Sequence, residues 1–269
     1  MTVGTSLRLI MAAGVLMLSC AAQSTSQNEP VPAPAESPAA NAQNPPAPKP
    51  VQLTLEQRGD LLMARKMFRE AIDVFRQGLS QPNAFVLYNK IGIAYHHMMD
   101  FKAAKKNYDA ALKKNPKYGE AQNNIGALYY AQKNYRRAIQ AYQKALKLNP
   151  NSATIYSNLG TAYYSRKKYD EALKAYGQAL ALDPEVFEQR GTTGSILQQR
   201  STEEQAKFHY YLAKTYAQAG NTEYALRYIR RSLEEGFKDR KKYLEEPEFS
   251  ILQDLPEFQQ LMTMEIRVL

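Results

Sequence analysis

The chain has 269 residues, of which 44% are hydrophobic and 10% aromatic, enough to build the core of one or two ordinary domains and too apolar for a wholly disordered chain. Its single cysteine, Cys20, excludes any disulfide within the chain, so stability rests on packing alone. The formal charge of +9 belongs to the part that folds, because Arg8 gives residues 1–19 a charge of +1 while Glu29, Glu36 and Lys49 give residues 21–50 a charge of −1.

At the N-terminus, Arg8 precedes the uncharged, mostly apolar run from Leu9 to Ser19, which ends in the small residues Ser19, Cys20, Ala21 and Ala22. This layout predicts a removable signal peptide over residues 1–19. A spanning helix needs about twenty apolar residues, so a permanent transmembrane anchor is the weaker reading. The segment Leu16-Met17-Leu18-Ser19-Cys20 resembles the lipobox of bacterial lipoproteins, which implies that Cys20 becomes the lipidated first residue of the mature protein. Within that resemblance, Ala21 rather than Asp after the cysteine implies sorting to the outer membrane where the host has one. Residues 20–50 then form a tether: Pro30, Pro32, Pro34, Pro38, Pro45, Pro46, Pro48 and Pro50 stand among Ala, Gln, Ser and Asn, with nothing to bury. At about 3.1 Å per residue in polyproline II, such a segment reaches at most roughly 90 Å.

Residues 51–269 carry an internal repeat. Pro116, Pro150 and Pro184 are 34 residues apart. The same spacing relates Gly92, Gly126 and Gly160, then Tyr95, Tyr129 and Tyr163, then Ala104, Ala138 and Ala172, then Tyr108, Tyr142 and Tyr176, then Ala111, Ala145 and Ala179. Glycine inside a helix costs about 1 kcal/mol relative to alanine, so its recurrence marks a close helix crossing. The alanines are expected to offer the matching small surface, and the tyrosines to fill the seam. Asp100, Asn134 and Lys168 mark the turns, each followed by an aromatic that starts the next helix.

These registers resemble the tetratricopeptide repeat family, which implies an all-α solenoid of antiparallel helix pairs. Repeats are expected over about 52–84, 85–118, 119–152 and 153–186, the first of them one residue short. Gly191-Thr192-Thr193-Gly194-Ser195 breaks the register, so 187–205 is expected as an inserted loop, with Ser201 and Glu204 in a capping box for the next helix. A repeat-like hairpin follows over 206–236. Over 237–269, Pro247-Glu248-Phe249 and Pro256-Glu257-Phe258 predict two short helices with proline in the first turn, resembling the C-terminal cap of many bacterial repeat proteins.

No motif for catalysis is found: there is no Walker loop, no Gly-x-Ser-x-Gly and no His-Glu-x-x-His. His96 and His97 are adjacent and point about 100° apart on a helix, so they cannot chelate one metal from one face. The expectation is a binding protein, not an enzyme, with no cofactor and no metal. Lysines such as Lys102, Lys105, Lys106, Lys113 and Lys114 fall on second helices, which the resemblance places on the convex, solvated face. Export argues against a nucleic-acid partner.

The resemblance also implies a concave groove lined by first helices. In this register the lining is Asn89, Lys90 and His96, then Asn123, Asn124 and Tyr130, then Ser157, Asn158, Thr161 and Tyr164, a mostly uncharged, hydrogen-bonding strip with aromatic edges. Amides both donate to and accept from a peptide backbone. The lysine clamp by which some family members hold a C-terminal carboxylate is only partly present, since Thr154, Ser157 and Asn158 are not basic. Two functions follow as expectations. One is a scaffold or assembly factor of the bacterial cell envelope, lipid-anchored and binding a peptide segment or helix of another protein. The alternative is a module that binds an anionic envelope glycan or lipid through the basic surface.

Overall fold

The computed structural model describes residues 52–188 and 201–263. The expected signal peptide, Cys20, the tether and 189–200 of the expected loop lie outside the described residues. Everything regular among the described residues is helical.

Helix α1, Leu55–Ala64, opens on a capping box: the Gln57 backbone N–H donates to Thr54 Oγ1 at 3.1 Å, and Thr54 N–H donates to Gln57 Oε1 at 2.9 Å. Hairpins then follow one another. α1 pairs with α2, Phe68–Gln77; α3, Ala84–His97, with α4, Phe101–Lys114; α5, Gly119–Ala131, with α6, Tyr135–Leu148; α7, Ala153–Ser165, with α8, Tyr169–Leu182. A fifth hairpin joins α9, Thr202–Gln218, to α10, Thr222–Glu234.

Each first helix ends on a left-handed residue: Lys66, Met99, Lys133 and Lys167, with φ of 60°, 62°, 58° and 61°. The fifth hairpin places Gly220 there, φ 75°, where no side chain meets the backbone. The second helix starts two residues later, in three of the five hairpins under a side-chain cap. Asp100 accepts from the Ala103 N–H at 2.9 Å, Asn134 from Arg137 at 3.3 Å and Asn221 from Tyr224 at 3.1 Å. Lys168 holds the equivalent position without a cap, and its ammonium reaches Glu171 at 2.5 Å instead. Lys168→Asn is therefore expected to stabilise the fold by about 1 kcal/mol, read from the midpoint of a urea melt.

The repeated glycines sit where two helices cross. A Cβ on Gly59 would lie 2.1 Å from Phe75, and Cβ atoms on Gly92, Gly126 and Gly160 would each lie 2.5 Å from the rings of Tyr108, Tyr142 and Tyr176. The small residue of the first helix thus makes room first for the ring of the second, and at Gly160 the Ala172 backbone also comes within 3.2 Å of where a Cβ would stand. The repeated alanines, Ala104, Ala138 and Ala172, flank the same rings and are wholly buried. The three tyrosines are at most 1% exposed, and burying such a ring contributes about 2–3 kcal/mol.

At the C-terminal end the chain folds back on the last hairpin through α11, Lys241–Glu245, a 3-10 helix, Pro247–Leu252, and α12, Pro256–Thr263. Proline opens the last two elements, as expected, although the first is a 3-10 helix and α11 was not foreseen. Tyr243, Phe249, Leu252, Phe258 and Leu261 are all 1% exposed or less and close the last apolar face.

The expected loop differs from the structure at its C-terminal end, while at its N-terminal end residues 187 and 188 are turn, as expected. Val186 and Phe187 are buried, with the Phe187 ring 5.3 Å from Tyr176 and 6.2 Å from Tyr216. Helix α9 begins at Thr202, inside the stretch expected to be loop, because the capping box of Ser201 and Glu204 sets its first turn.

Candidate functional site

The groove residues are positioned by α3, α5 and α7, which succeed one another as the first helices of the second, third and fourth hairpins. Asn124 Nδ2 donates to Asn89 Oδ1 at 2.9 Å, and Asn158 Nδ2 donates to Asn123 Oδ1 at 3.1 Å. Each bond links one hairpin to the one before it across the same register. Lys90 makes the corresponding contact one hairpin earlier, with its ammonium 3.0 Å from Glu56 and 2.6 Å from Asp60. Burial opposes the Lys90 charge, but the hydrogen bonds to Asp60 and Glu56 prevail and hold its pKa above the ordinary lysine value. A further link joins the Tyr130 hydroxyl to Ser165 Oγ at 2.8 Å.

The strip expected to face a ligand is thus largely an inter-repeat seam. Asn89, Ser157, Asn158, Thr161 and Tyr164 are buried, at 3–7% exposure. Thr161 donates to the Ser157 carbonyl at 2.9 Å and accepts from Tyr176 at 3.3 Å. Tyr164 donates to the Glu204 carbonyl at 3.3 Å and packs edge-on against Tyr169, Phe208 and Tyr211. Buried amides must find partners, and here they find each other. The sequence signal that would have revealed this is the offset: Asn89 and Asn124, like Asn123 and Asn158, are one residue more than a repeat apart, the step that brings neighbouring first helices side by side.

Lys90, His96, Asn123, Asn124 and Tyr130 are half-buried and reach the surface of the first-helix wall. His96 stands edge-on to Phe101 with centroids 5.6 Å apart, and burial, followed by the adjacent His97, lowers its pKa below the ordinary histidine value. His97 lies flat on Phe68 at 5.1 Å. The two rings thus face different aromatic neighbours and converge on no common point. Among the described residues no helix is long and apolar enough to cross a membrane.

The tetratricopeptide repeat sequence model matches residues 85–149 and 117–185, the second to fourth hairpins. Residues 85–185 are tetratricopeptide repeats. No curated protein matches the chain. Among solved structures, MamA is 22% identical, with 68% of this chain and 96% of that one covered and a TM-score of 0.45. BtubC from P. vanneervenii is 21% identical over 67% of this chain and 78% of its own, TM-score 0.47. YrrB, described as a TPR protein with an unusual peptide-binding site, is 20% identical over 68% and 84%, TM-score 0.43. The tetratricopeptide match ends at residue 185, just before the stretch whose helix boundaries departed from expectation, while α9 and α10 form a hairpin of the same design beyond it.

Proposed function

We propose that this tetratricopeptide array is an interaction scaffold that holds a segment of a partner protein against the wall formed by α3, α5 and α7. We further propose that it works at the bacterial cell envelope, attached through a lipid on Cys20. The observation that supports binding is the rung geometry. Neighbouring first helices are fixed to each other by Lys90–Glu56, Asn124–Asn89 and Asn158–Asn123, so the wall is pre-organised and a ligand need not order it. The anchor rests on the sequence pattern around Cys20. Nothing in the chain's motifs or in the repeat family argues for catalysis.

One experiment in cells tests both halves. A photo-cross-linking amino acid is placed at Ala131, which shares a helical stripe with Asn124 seven residues earlier, or at Lys174 on the exposed face of α8, in chains with Cys20 or Cys20→Ser. The expected result is a protein adduct from Ala131 and none from Lys174, with fatty-acid label on the Cys20 chain and none on the serine variant. Adducts of equal yield from both positions would remove the concave wall as the binding face. Equal label on both chains would remove the anchor.

A further inference from the structure

The net charge of the chain is not spread over the array. Residues 101–148 hold 11 lysines and arginines against 2 acids, Asp109 and Glu120, while the rest of the sequence holds 24 of each sign. The whole +9 therefore lies on the second and third repeats. Elsewhere acids balance the bases in number, and several bases, among them Lys90, Lys168, Lys214, Arg227 and Arg230, meet carboxylates. Among the described residues, Lys105 is the one base of the eleven in an ion pair, 2.7 Å from Asp109.

This charge has a shape. Helix α5 packs on both α4 and α6 and forms the floor between them. Two adjoining hollows run along that floor and share Lys105, Asp109, Tyr129 and Arg137. One wall carries Lys102, Lys105 and Lys106, and the other carries Arg137 and Lys144. Between them lies the half-buried Tyr129 ring, with the Arg137 guanidinium 5.7 Å from its centroid and Leu128 and Ile125 beside it. From Lys102 to Leu112 the trough is about 15 Å long at 1.5 Å per residue.

We propose that this trough between α4 and α6 docks an acidic segment of a partner protein that carries apolar side chains as well as carboxylates. Cationic walls match the carboxylates, and the Tyr129 floor gives an apolar side chain a place that water does not fill well. A flat bilayer or a nucleic-acid duplex would rest on the outward lysines, such as Lys113 and Lys117, and leave the recessed floor untouched. Asp109 is the one like charge a carboxylate would meet. The proposal is independent of the wall formed by α3, α5 and α7, because the trough opens between second helices.

The test uses the full chain in non-ionic detergent and a fluorescent peptide about a dozen residues long, in which glutamates alternate with leucine and phenylalanine. A companion peptide has serine at every apolar position, and phosphatidylglycerol vesicles form a third arm. Lys105→Glu with Arg137→Glu should weaken the apolar-containing peptide at least about tenfold, and the milder Lys105→Gln with Arg137→Gln should act in the same direction. Lys113→Glu with Lys117→Glu, the same change in net charge away from the trough, should alter it by less than about twofold. Asp109→Asn should tighten it, a gain that misfolding cannot imitate. The proposal is overturned if the peptide does not bind at low ionic strength, if the serine peptide binds as well, or if both glutamate pairs weaken binding equally. Vesicle binding that depends on the trough pair while the peptide is indifferent would also overturn it, and would assign the trough to lipid headgroups.

Discussion

Replacing Gly126 by leucine is expected to remove about 3 kcal/mol or more of folding stability. A Cβ alone at this position would lie 2.5 Å from Cδ1 and Cε1 of Tyr142, and the ring is 1% exposed and cannot swing into solvent. Leucine adds three further carbons to the same space, and overpacking of this kind typically costs 1–3 kcal/mol even where the surroundings relax, with larger values where they cannot. Alanine at Gly126 makes the sharper measurement. Helix propensity alone favours it by about 1 kcal/mol, so a net loss would show that the ring contact outweighs propensity. Lys144→Ala, an exposed site on the neighbouring helix, should change stability by less than about 0.5 kcal/mol. Urea melts of the three variants decide the matter, and equal losses at Gly126 and Lys144 would refute the glycine-ring crossing.

Phe249→Ala is expected to cost about 3–5 kcal/mol, the range for emptying a buried aromatic site. The Phe249 ring is fully buried, 5.1 Å from Tyr243 and 6.0 Å from Tyr210, inside a cluster that also stacks Phe237 on Tyr210 at 4.6 Å. The 3-10 helix that carries Phe249 rests on α9 and α10, so the loss should appear first at that end. In a linear array each unit is held mainly by its neighbours. Hydrogen exchange should therefore speed up in α9 and α10 while α3 to α6 keep their protection. Exchange that accelerates uniformly along the chain, or not at all, would mean that the C-terminal elements do not act as a cap.

The repeat architecture was legible because each register states a physical need that neighbouring sequence repeats. Gly126 beside Tyr142 has one structural use, which the 34-residue period shows three times, and Asn134 before Tyr135 has a capping use that Asp100 shares and Lys168 does not. The Ser201–Glu204 box was legible for a similar reason, since both partners lie within one turn. The fate of the asparagines was not. Asn123 taken alone looks the same in sequence whether its amide meets a ligand or Asn158, and only its 35-residue offset from Asn158 hints at the pairing that the packing of consecutive first helices then makes. The capping box also marks where α9 begins, so the loop is four residues shorter at that end than the expected bound of 205. The charge excess was visible as a total. Its confinement to a trough needed α4, α5 and α6 in place, since lysines spaced three and four apart on one helix do not reveal what lies across from them.

The rungs between hairpins differ in kind along the array. Between the first and second hairpins the rung is ionic, Lys90 to Glu56 and Asp60, whereas the next two are neutral amide pairs. Nearest-neighbour coupling at the N-terminal joint is thus sensitive to dissolved salt, and at the following joints it is not. The joints are unequal in what they ask of the solvent: added electrolyte is expected to weaken the first rung and to leave the two amide rungs as they are.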